Sequence, residues 1–162
     1  MNKKIDSILC CVGLRDDSHV VLEQAFRLSS ATGARLHILH AVKSLDDDVM
    51  NTLRVNIRDK AILGELIRKR LDDARQQLEA KLESFWDAYG DADGAIGSRV
   101  GSMEVVEGYP ARIIVNQASR LGCDMILMAS NKRGFTPSYA GKVTRGVLKR
   151  SHVPVVVVPP AS

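Results

Sequence analysis

The sequence predicts an α/β fold: a single-domain three-layer sandwich with a parallel sheet between two layers of helices. Short apolar runs alternate with amphipathic helical patterns along the whole 162-residue chain. Parallel strands must be joined by crossovers of a dozen residues or more, and the helical patterns between the apolar runs are long enough to form such crossovers. No linker or internal repeat interrupts the alternation. Residues 1–162 are therefore assigned to one domain, which is long enough to bury a sizeable core.

Two strands and one helix are predicted in the first quarter of the chain. Residues 5–12 form an apolar run that is typical of a strand buried on both faces. Asp17 or Ser18 can cap the following helix, and Gly33 supplies its left-handed stop. Residues 35–42, "RLHILHAV", form the second strand.

The middle of the chain is its least constrained part. Residues 43–60 are polar and irregular, so we expect a variable segment that is either a mobile loop or a short helix. A long helix follows, and its aromatic end is expected to anchor the core. Residues 100–106 form a third, poorer strand. The long helix carries one predicted apolar stripe, made of Leu66, Ile67, Leu71, Ala74, Leu78, Leu82 and Phe85.

The last third repeats the strand and helix alternation. Pro110 stands where a first helical turn accepts proline, and Gly122 closes that helix. Residues 124–129, "DMILMA", form the fourth strand. A helix over about 141–150 and the strand "VPVVVVPP" complete the predicted fold.

Composition limits the environment and the partners. The net charge of +4 tilts weakly towards anionic small molecules or nucleic acid. Few aromatic residues lie among the cations, which disfavours nucleic acid. The three cysteines are too few for a disulfide framework and lie in apolar surroundings, as reduced thiols do. No apolar run reaches the roughly 18 residues of a membrane span, and no signal peptide pattern is present, so we expect a cytoplasmic protein with no membrane partner.

The loop after the fourth strand, "ASNKRGFTPSYAGKVT" at residues 129–144, combines glycines with cations between a strand and a helix. It invites comparison with the phosphate-binding pattern G-x4-G-K-[S/T]. Six residues separate Gly134 from Gly141, however, where the pattern has four, and Val143 stands where the magnesium-binding hydroxyl belongs. The spacing forms the phosphate cradle, so this interpretation is disfavoured.

The segments "GYPARIIVNQASRLGCDMILMAS" and "VLKRSHVPVVVV" resemble the universal stress protein family. The resemblance continues upstream through "ILCCVGLRDDSHVVLEQAFRLSSATGARLHILHAV" and covers nearly the whole chain. It implies a UspA-like five-stranded parallel sheet of order 3-2-1-4-5 with helices on both faces. Strands one and four are then neighbours at a point where the strand order reverses, and a ligand crevice is expected at their carboxyl ends.

The resemblance also implies site residues. Nucleotide-binding members carry G-x2-G-x9-G-[S/T] in this loop, but here the first glycine is replaced by Ala129 and the final hydroxyl by Lys142. Gly13 stands where the family has a carboxylate that contacts ribose, and Ala41 lies where backbone meets adenine. The expected binding residues are Val12, Gly13, Ala41, Ala129, Ser130, Asn131, Lys132, Arg133, Gly134, Gly141, Lys142, Val143 and Thr144.

The hypothesis that follows is a homodimeric stress-response protein that binds a small anionic ligand. The ligand would be ATP, AMP or another adenine nucleotide, with Mg²⁺ accompanying it, and the dimer would form through residues 153–158, as in the family. The alternative is a stress-response protein that binds no nucleotide and acts as an interaction module for an unidentified protein. An enzyme is less favoured, because no nucleophile and base set can be assembled from the spacing, and slow ATP hydrolysis is the form it would take. His37 and His40 fall on opposite faces of their strand and are expected to be structural.

Overall fold

The computed structural model describes residues 3–14, 18–89, 97–130 and 141–159. Its elements, in chain order, are β1 (Ser7–Cys11), α1 (Ser18–Thr32), β2 (Arg35–Lys43), α2 (Asp47–Asn56), α3 (Lys60–Tyr89), β3 (Val100–Gly108), α4 (Pro110–Arg120), β4 (Met125–Ala129), α5 (Lys142–Arg150) and β5 (Val155–Val158). A 3-10 turn at Gly97–Arg99 precedes β3. No helix in the described ranges is both long and apolar enough to cross a bilayer.

The sheet is parallel throughout and has the order β3-β2-β1-β4-β5, which confirms the predicted topology. β1 lies at its centre, where Leu9 pairs with His37 of β2 on one side and with Ile126 of β4 on the other. The strand order reverses between β1 and β4. The helix that follows β1 and the helix that follows β4 lie on opposite faces of the sheet, which leaves a crevice above the ends of the two strands.

Helices cover both faces of the sheet, and each face has its own apolar core. Ile8 and Cys10 of β1 point towards α1 and α3, where Phe26 and Leu78 are fully buried. Leu9, on the opposite face of the same strand, packs in the core with α4 and α5. A strand buried on both faces is continuously apolar, which is why the opening run predicted β1 correctly.

The predicted helix ends are confirmed at three positions. Gly33 and Gly122 have φ angles of 75° and 65°, the left-handed conformation that ends a helix and that glycine adopts at little cost. Pro110 occupies the first turn of α4, where its missing N–H would have no partner in any case.

The aromatic residues at the end of α3 pack on the core, as predicted. The ring of Phe26 in α1 lies 5.2 Å from that of Phe85 and 4.4 Å from that of Trp86, measured between centroids. Tyr89 stacks on Phe85 at 5.1 Å. This cluster fastens the last turns of α3 to α1.

The apolar stripe predicted along α3 is confirmed only in part in the first half of that helix, where Ile67 and Leu71 are half-buried and Leu66 is exposed. Only Ala74, Leu78 and Leu82 are buried, whereas Leu66 is 47% exposed. The reason is length: 30 residues of helix extend about 45 Å, while the nine-residue edge strand β3 spans about 30 Å. The first half of α3 therefore has too little sheet beneath it to cover its apolar side chains.

Two weakly predicted segments form regular structure. Of the two alternatives for residues 43–60, the helix is observed, since α2 spans Asp47–Asn56 without burying any side chain. β3 pairs with β2 from Val100 to Gly108, with one irregularity between Leu36 and His37. It is an edge strand, and this position explains why its sequence is more polar than that of a central strand.

Candidate functional site

A cavity of about 520 Å³ opens at the carboxyl ends of β1, β2 and β4. Strand ends supply Cys11, Ala41 and Ala129, so the cavity lies at the point where the strand order reverses. The other described lining residues are Val12, Gly13, Leu14, Ser18, Val21, Leu39, His40, Lys43, Pro110, Ile114, Met128, Ser130, Val143 and Thr144.

Three helices begin at the wall of this cavity. Ser18 starts α1, Pro110 starts α4, and Val143 lies in the first turn of α5. The first N–H groups of a helix have no partner within it, and the aligned peptide dipoles place partial positive charge there. The described lining contains no Asp or Glu side chain. The backbone N–H groups at these helix starts favour an anionic group in the cavity.

The start of α5 has no side-chain cap in the described part of the chain. Gly141 precedes the helix without a capping side chain, and its carbonyl accepts the first helical hydrogen bond from the N–H of Arg145 at 3.0 Å. Thr144 is only 1% exposed, and its hydroxyl donates to the Ala129 carbonyl at 3.4 Å. Among the described residues, no capping side chain binds the N–H groups of the first turn.

Seven of the residues expected at the site line the cavity together: Val12, Gly13, Ala41, Ala129, Ser130, Val143 and Thr144. Gly141 and Lys142 stand at the start of α5, beside the cavity but not in its wall. The remaining four, Asn131, Lys132, Arg133 and Gly134, lie outside the described residues.

Gly13 leaves open space at the exit of β1. A Cβ atom built on this glycine would meet no other atom of the described structure within 4 Å. The N–H of Val12 still donates to the Leu39 carbonyl at 2.8 Å, so the chain keeps its sheet pairing up to this point.

Sequence reasoning missed two polar residues of the cavity, His40 and Lys43. Nδ1 of His40 lies 2.8 Å from the carbonyl oxygen of Val12. Nζ of Lys43 forms a loose ion pair with Asp46 at 3.9 Å, largely exposed to solvent. His37, on the opposite face of β2, contacts the hydroxyl of Ser102 at 2.7 Å and is not part of the wall. One clue was available, since His40 is adjacent to Ala41, which was predicted to belong to the site.

The thiol in the cavity wall is a poor nucleophile. Burial raises the pKa of Cys11 well above its usual value, and the neighbouring thiols of Cys10 and Cys123 raise it further. Burial also raises the pKa of Cys10 to about 12 and that of Cys123 to about 11. All three are free cysteines. At neutral pH they are protonated thiols, and only a thiolate attacks efficiently.

The family model of the universal stress protein family matches residues 4–159. The chain belongs to the universal stress protein family. The match covers every strand and helix of the fold, and with it the strands and helices that surround the cavity.

This universal stress protein is also similar to solved structures. UspA from Lactobacillus plantarum is 16% identical, with a TM-score of 0.70 over 97% of this chain and 99% of that one. The hypothetical protein MJ0577 is 21% identical, with a TM-score of 0.69 over 99% of each chain. A universal stress protein in complex with cAMP is 16% identical, with a TM-score of 0.54 over 97% and 98% of the two chains. At such identities the likeness shows the fold alone. No curated protein matches this chain.

Proposed function

We propose that this universal stress protein binds a small anionic ligand, an adenine nucleotide, in the cavity between β1 and β4. The observation that carries the proposal is the convergence of three helix N-termini on a cavity whose described wall has no carboxylate. Such helix ends bind phosphate through backbone N–H groups. The volume of about 520 Å³ falls within the range typical of small-molecule sites.

The choice of an adenine nucleotide among anions draws on a relative. A universal stress protein of the same fold has been solved in complex with cAMP. In this chain, the apolar part of the wall near Ala41 and Ile114 would hold the base, and the phosphates would lie at the start of α5. Lys142, in the first turn of α5, would add a cation there. In this chain Ala129 replaces the glycine of the family pattern and Lys142 replaces its hydroxyl. Positive charge on side chains such as Lys142 would compensate for the loss of those two groups.

The proposal includes a cytoplasmic homodimer that acts in the stress response. β5 is hydrogen-bonded to β4 on one side and lies last in the strand order, so no strand in the described part of the chain pairs with its other edge. An open edge of four consecutive valines favours pairing with a second copy. The buried thiols of Cys10 and Cys123 support a reducing compartment.

Calorimetry with ATP, with and without Mg²⁺, tests nucleotide binding. We expect micromolar affinity, and Lys142→Ala should weaken it about threefold to tenfold through loss of a charge at the phosphates. Lys149→Ala is the matched control, because it removes the same charge from the last turn of the same helix. Absence of binding up to millimolar ATP would overturn the proposal. Release of phosphate during the titration would instead indicate slow hydrolysis.

A second candidate function, protein interaction, is favoured by the surface of α2 and the first half of α3. α2 buries none of its side chains, and Val55 at its end is 76% exposed. Ile62 and Leu66 on α3 are also exposed. Apolar residues in this arrangement are found at interaction sites. If a purified stress-response partner bound the native protein but not Val55→Asp or Leu66→Asp, and ATP did not bind, this function would replace the first.

A further inference from the structure

The ring of His40 is fixed in one orientation at the wall of the cavity. Its Nδ1 lies 2.8 Å from the carbonyl oxygen of Val12. A carbonyl oxygen can only accept a hydrogen bond, so Nδ1 must carry the proton and donate it. In the neutral ring, Nε2 is then left with a lone pair and no proton.

The lone pair on Nε2 could contact a ligand because His40 is part of the cavity wall. The carbonyl group that Nδ1 contacts belongs to Val12, and Val12, Gly13 and His40 line the same cavity. Among the described residues no hydrogen bond to Nε2 is found, and His40 lines the cavity. The described wall of the cavity contains no carboxylate that could accept a hydrogen bond from the ligand in place of Nε2.

We propose that Nε2 of His40 accepts a hydrogen bond from the ligand and selects ligands that carry a donor at this place. This inference rests on the proposed function. A purine nucleotide has two kinds of donor that suit it, the exocyclic amine of the base and the hydroxyls of the sugar. Both donors would form the same kind of hydrogen bond, from an N–H or O–H to an sp² nitrogen. Nucleotide analogues that each lack one of these donors show which of them His40 binds.

The experiment measures the affinities of ATP and three analogues by calorimetry. Inosine triphosphate replaces the amine with a carbonyl, while 2′-deoxy-ATP and 3′-deoxy-ATP each lack one hydroxyl. The native protein should bind one of the three about fivefold to tenfold more weakly than ATP, the loss expected for one hydrogen bond. The penalised analogue identifies which donor His40 accepts.

The variant His40→Asn separates this role from a structural one. The amide nitrogen of Asn can replace Nδ1 as the donor to the Val12 carbonyl, but Asn places no atom where Nε2 was. It should bind ATP about as weakly as the native protein binds the penalised analogue, and the difference between the two ligands should disappear. His40→Gln, whose longer amide reaches the Nε2 position, should restore part of the discrimination. His37→Asn is the control, since His37 lies on the same strand outside the cavity.

Two outcomes would overturn the inference while leaving nucleotide binding intact. One is equal affinity of the native protein for ATP and all three analogues. The other is a His40→Asn variant that keeps the full native discrimination. If the native protein binds no ATP at all, the proposed function fails and this inference fails with it. Melting temperatures of the variants show whether a loss of affinity reflects loss of the fold.

Discussion

The carboxylate of Asp124 accepts a hydrogen bond from the backbone N–H of Asp6 at 2.8 Å, although the two residues are 118 positions apart in the chain. The same oxygen accepts a second bond from the N–H of Ser7 at 3.2 Å. In return, the N–H of Asp124 donates to the carbonyl of Ser7 at 2.8 Å. This cluster fixes the starts of β1 and β4 side by side, and the register it sets determines where the two strands end at the cavity.

Asp124→Asn should destabilise the fold at every pH above the usual pKa of an aspartate. The backbone N–H of Asp6 holds the pKa of this carboxyl below its usual value, with smaller contributions from Ser7 and Lys3. A lowered folded pKa means that the stabilisation is present above the usual Asp value and is lost as pH falls through the folded pKa. Urea titrations should give a loss of about 1 kcal/mol at pH 7 that shrinks towards pH 3.

Lys3→Gln is the control for that experiment, because Lys3 contacts the same carboxylate only as an exposed ion pair at 3.6 Å. Such pairs contribute little, so the variant should match the native protein within about 0.5 kcal/mol. An Asp124→Asn variant as stable as the native protein at pH 7 would show that the backbone bonds do not fix the strand starts.

Gly146→Ala should disturb the cavity from a distance. A Cβ atom at Gly146 would lie 2.7 Å from the Cβ of Ala111, so α5 would have to move away from α4. We expect a loss of about 1–3 kcal/mol in the free energy of unfolding, the usual cost of overpacking. Ligand affinity should fall too, since Val143 and Thr144 in the same helix line the cavity.

Gly64→Ala is the matched control for this substitution. It adds the same methyl group to the interior of α3, where a Cβ atom would meet nothing within 4 Å. Alanine is the better helix former, so this variant should gain about 0.5–1 kcal/mol. Equal effects of the two substitutions would mean that the contact between α4 and α5 is not tight.

Phe26→Ala should unfold the contact between α1 and the end of α3. Phe26 is fully buried and its ring meets those of Phe85 and Trp86. Removing a buried phenyl ring costs about 3–5 kcal/mol, so the unfolding midpoint should fall sharply. Trp86 fluorescence reports the change directly, with an emission shift to longer wavelength as its ring meets water. Tyr109→Ala removes an exposed ring, so this variant should keep the native unfolding midpoint and the native Trp86 emission.

Much of the fold could be predicted from the sequence, because the local patterns agree with the final packing. β1 is apolar without interruption since helices cover both its faces, and Gly33 and Gly122 stand where chains leave helices. The stripe on α3 misled for a physical reason. Periodicity shows which side of a helix is apolar, but not whether a sheet extends far enough to cover it, as the exposure of Leu66 demonstrates.

The location of the candidate site could be predicted from the sequence, but its polar side chains could not all be identified. Topology alone puts the strand ends together, and Ala41 and Ala129 do line one cavity. His40 could not be assigned from the sequence, because alternation along β2 tells only which face a side chain takes. The role proposed for it depends on a hydrogen bond to Val12, 28 residues away, and such a contact is created by strand pairing.

The open edge of β5 offers a test of the proposed dimer that leaves the monomer intact. The N–H of Ile126 donates to the carbonyl of Pro154 at 3.0 Å, and that of Ser130 donates to the carbonyl of Val158 at 2.9 Å. Backbone groups alternate in direction along a strand, so residues 154, 156 and 158 face β4 while Val155 and Val157 direct their N–H and carbonyl groups outwards.

Val157→Pro should therefore abolish the dimer without unfolding the protein. Proline removes the outward N–H that a second copy would need, and edge strands tolerate it. Analytical ultracentrifugation should show a dimer for the native protein and a monomer for the variant. Val156→Pro is the contrasting control: it removes an N–H that faces β4, so it should lower the free energy of unfolding by about 1 kcal/mol or more. A Val157→Pro variant that remains a dimer would place the contact between copies on another surface, because proline removes one of the two outward backbone donors from the middle of this edge.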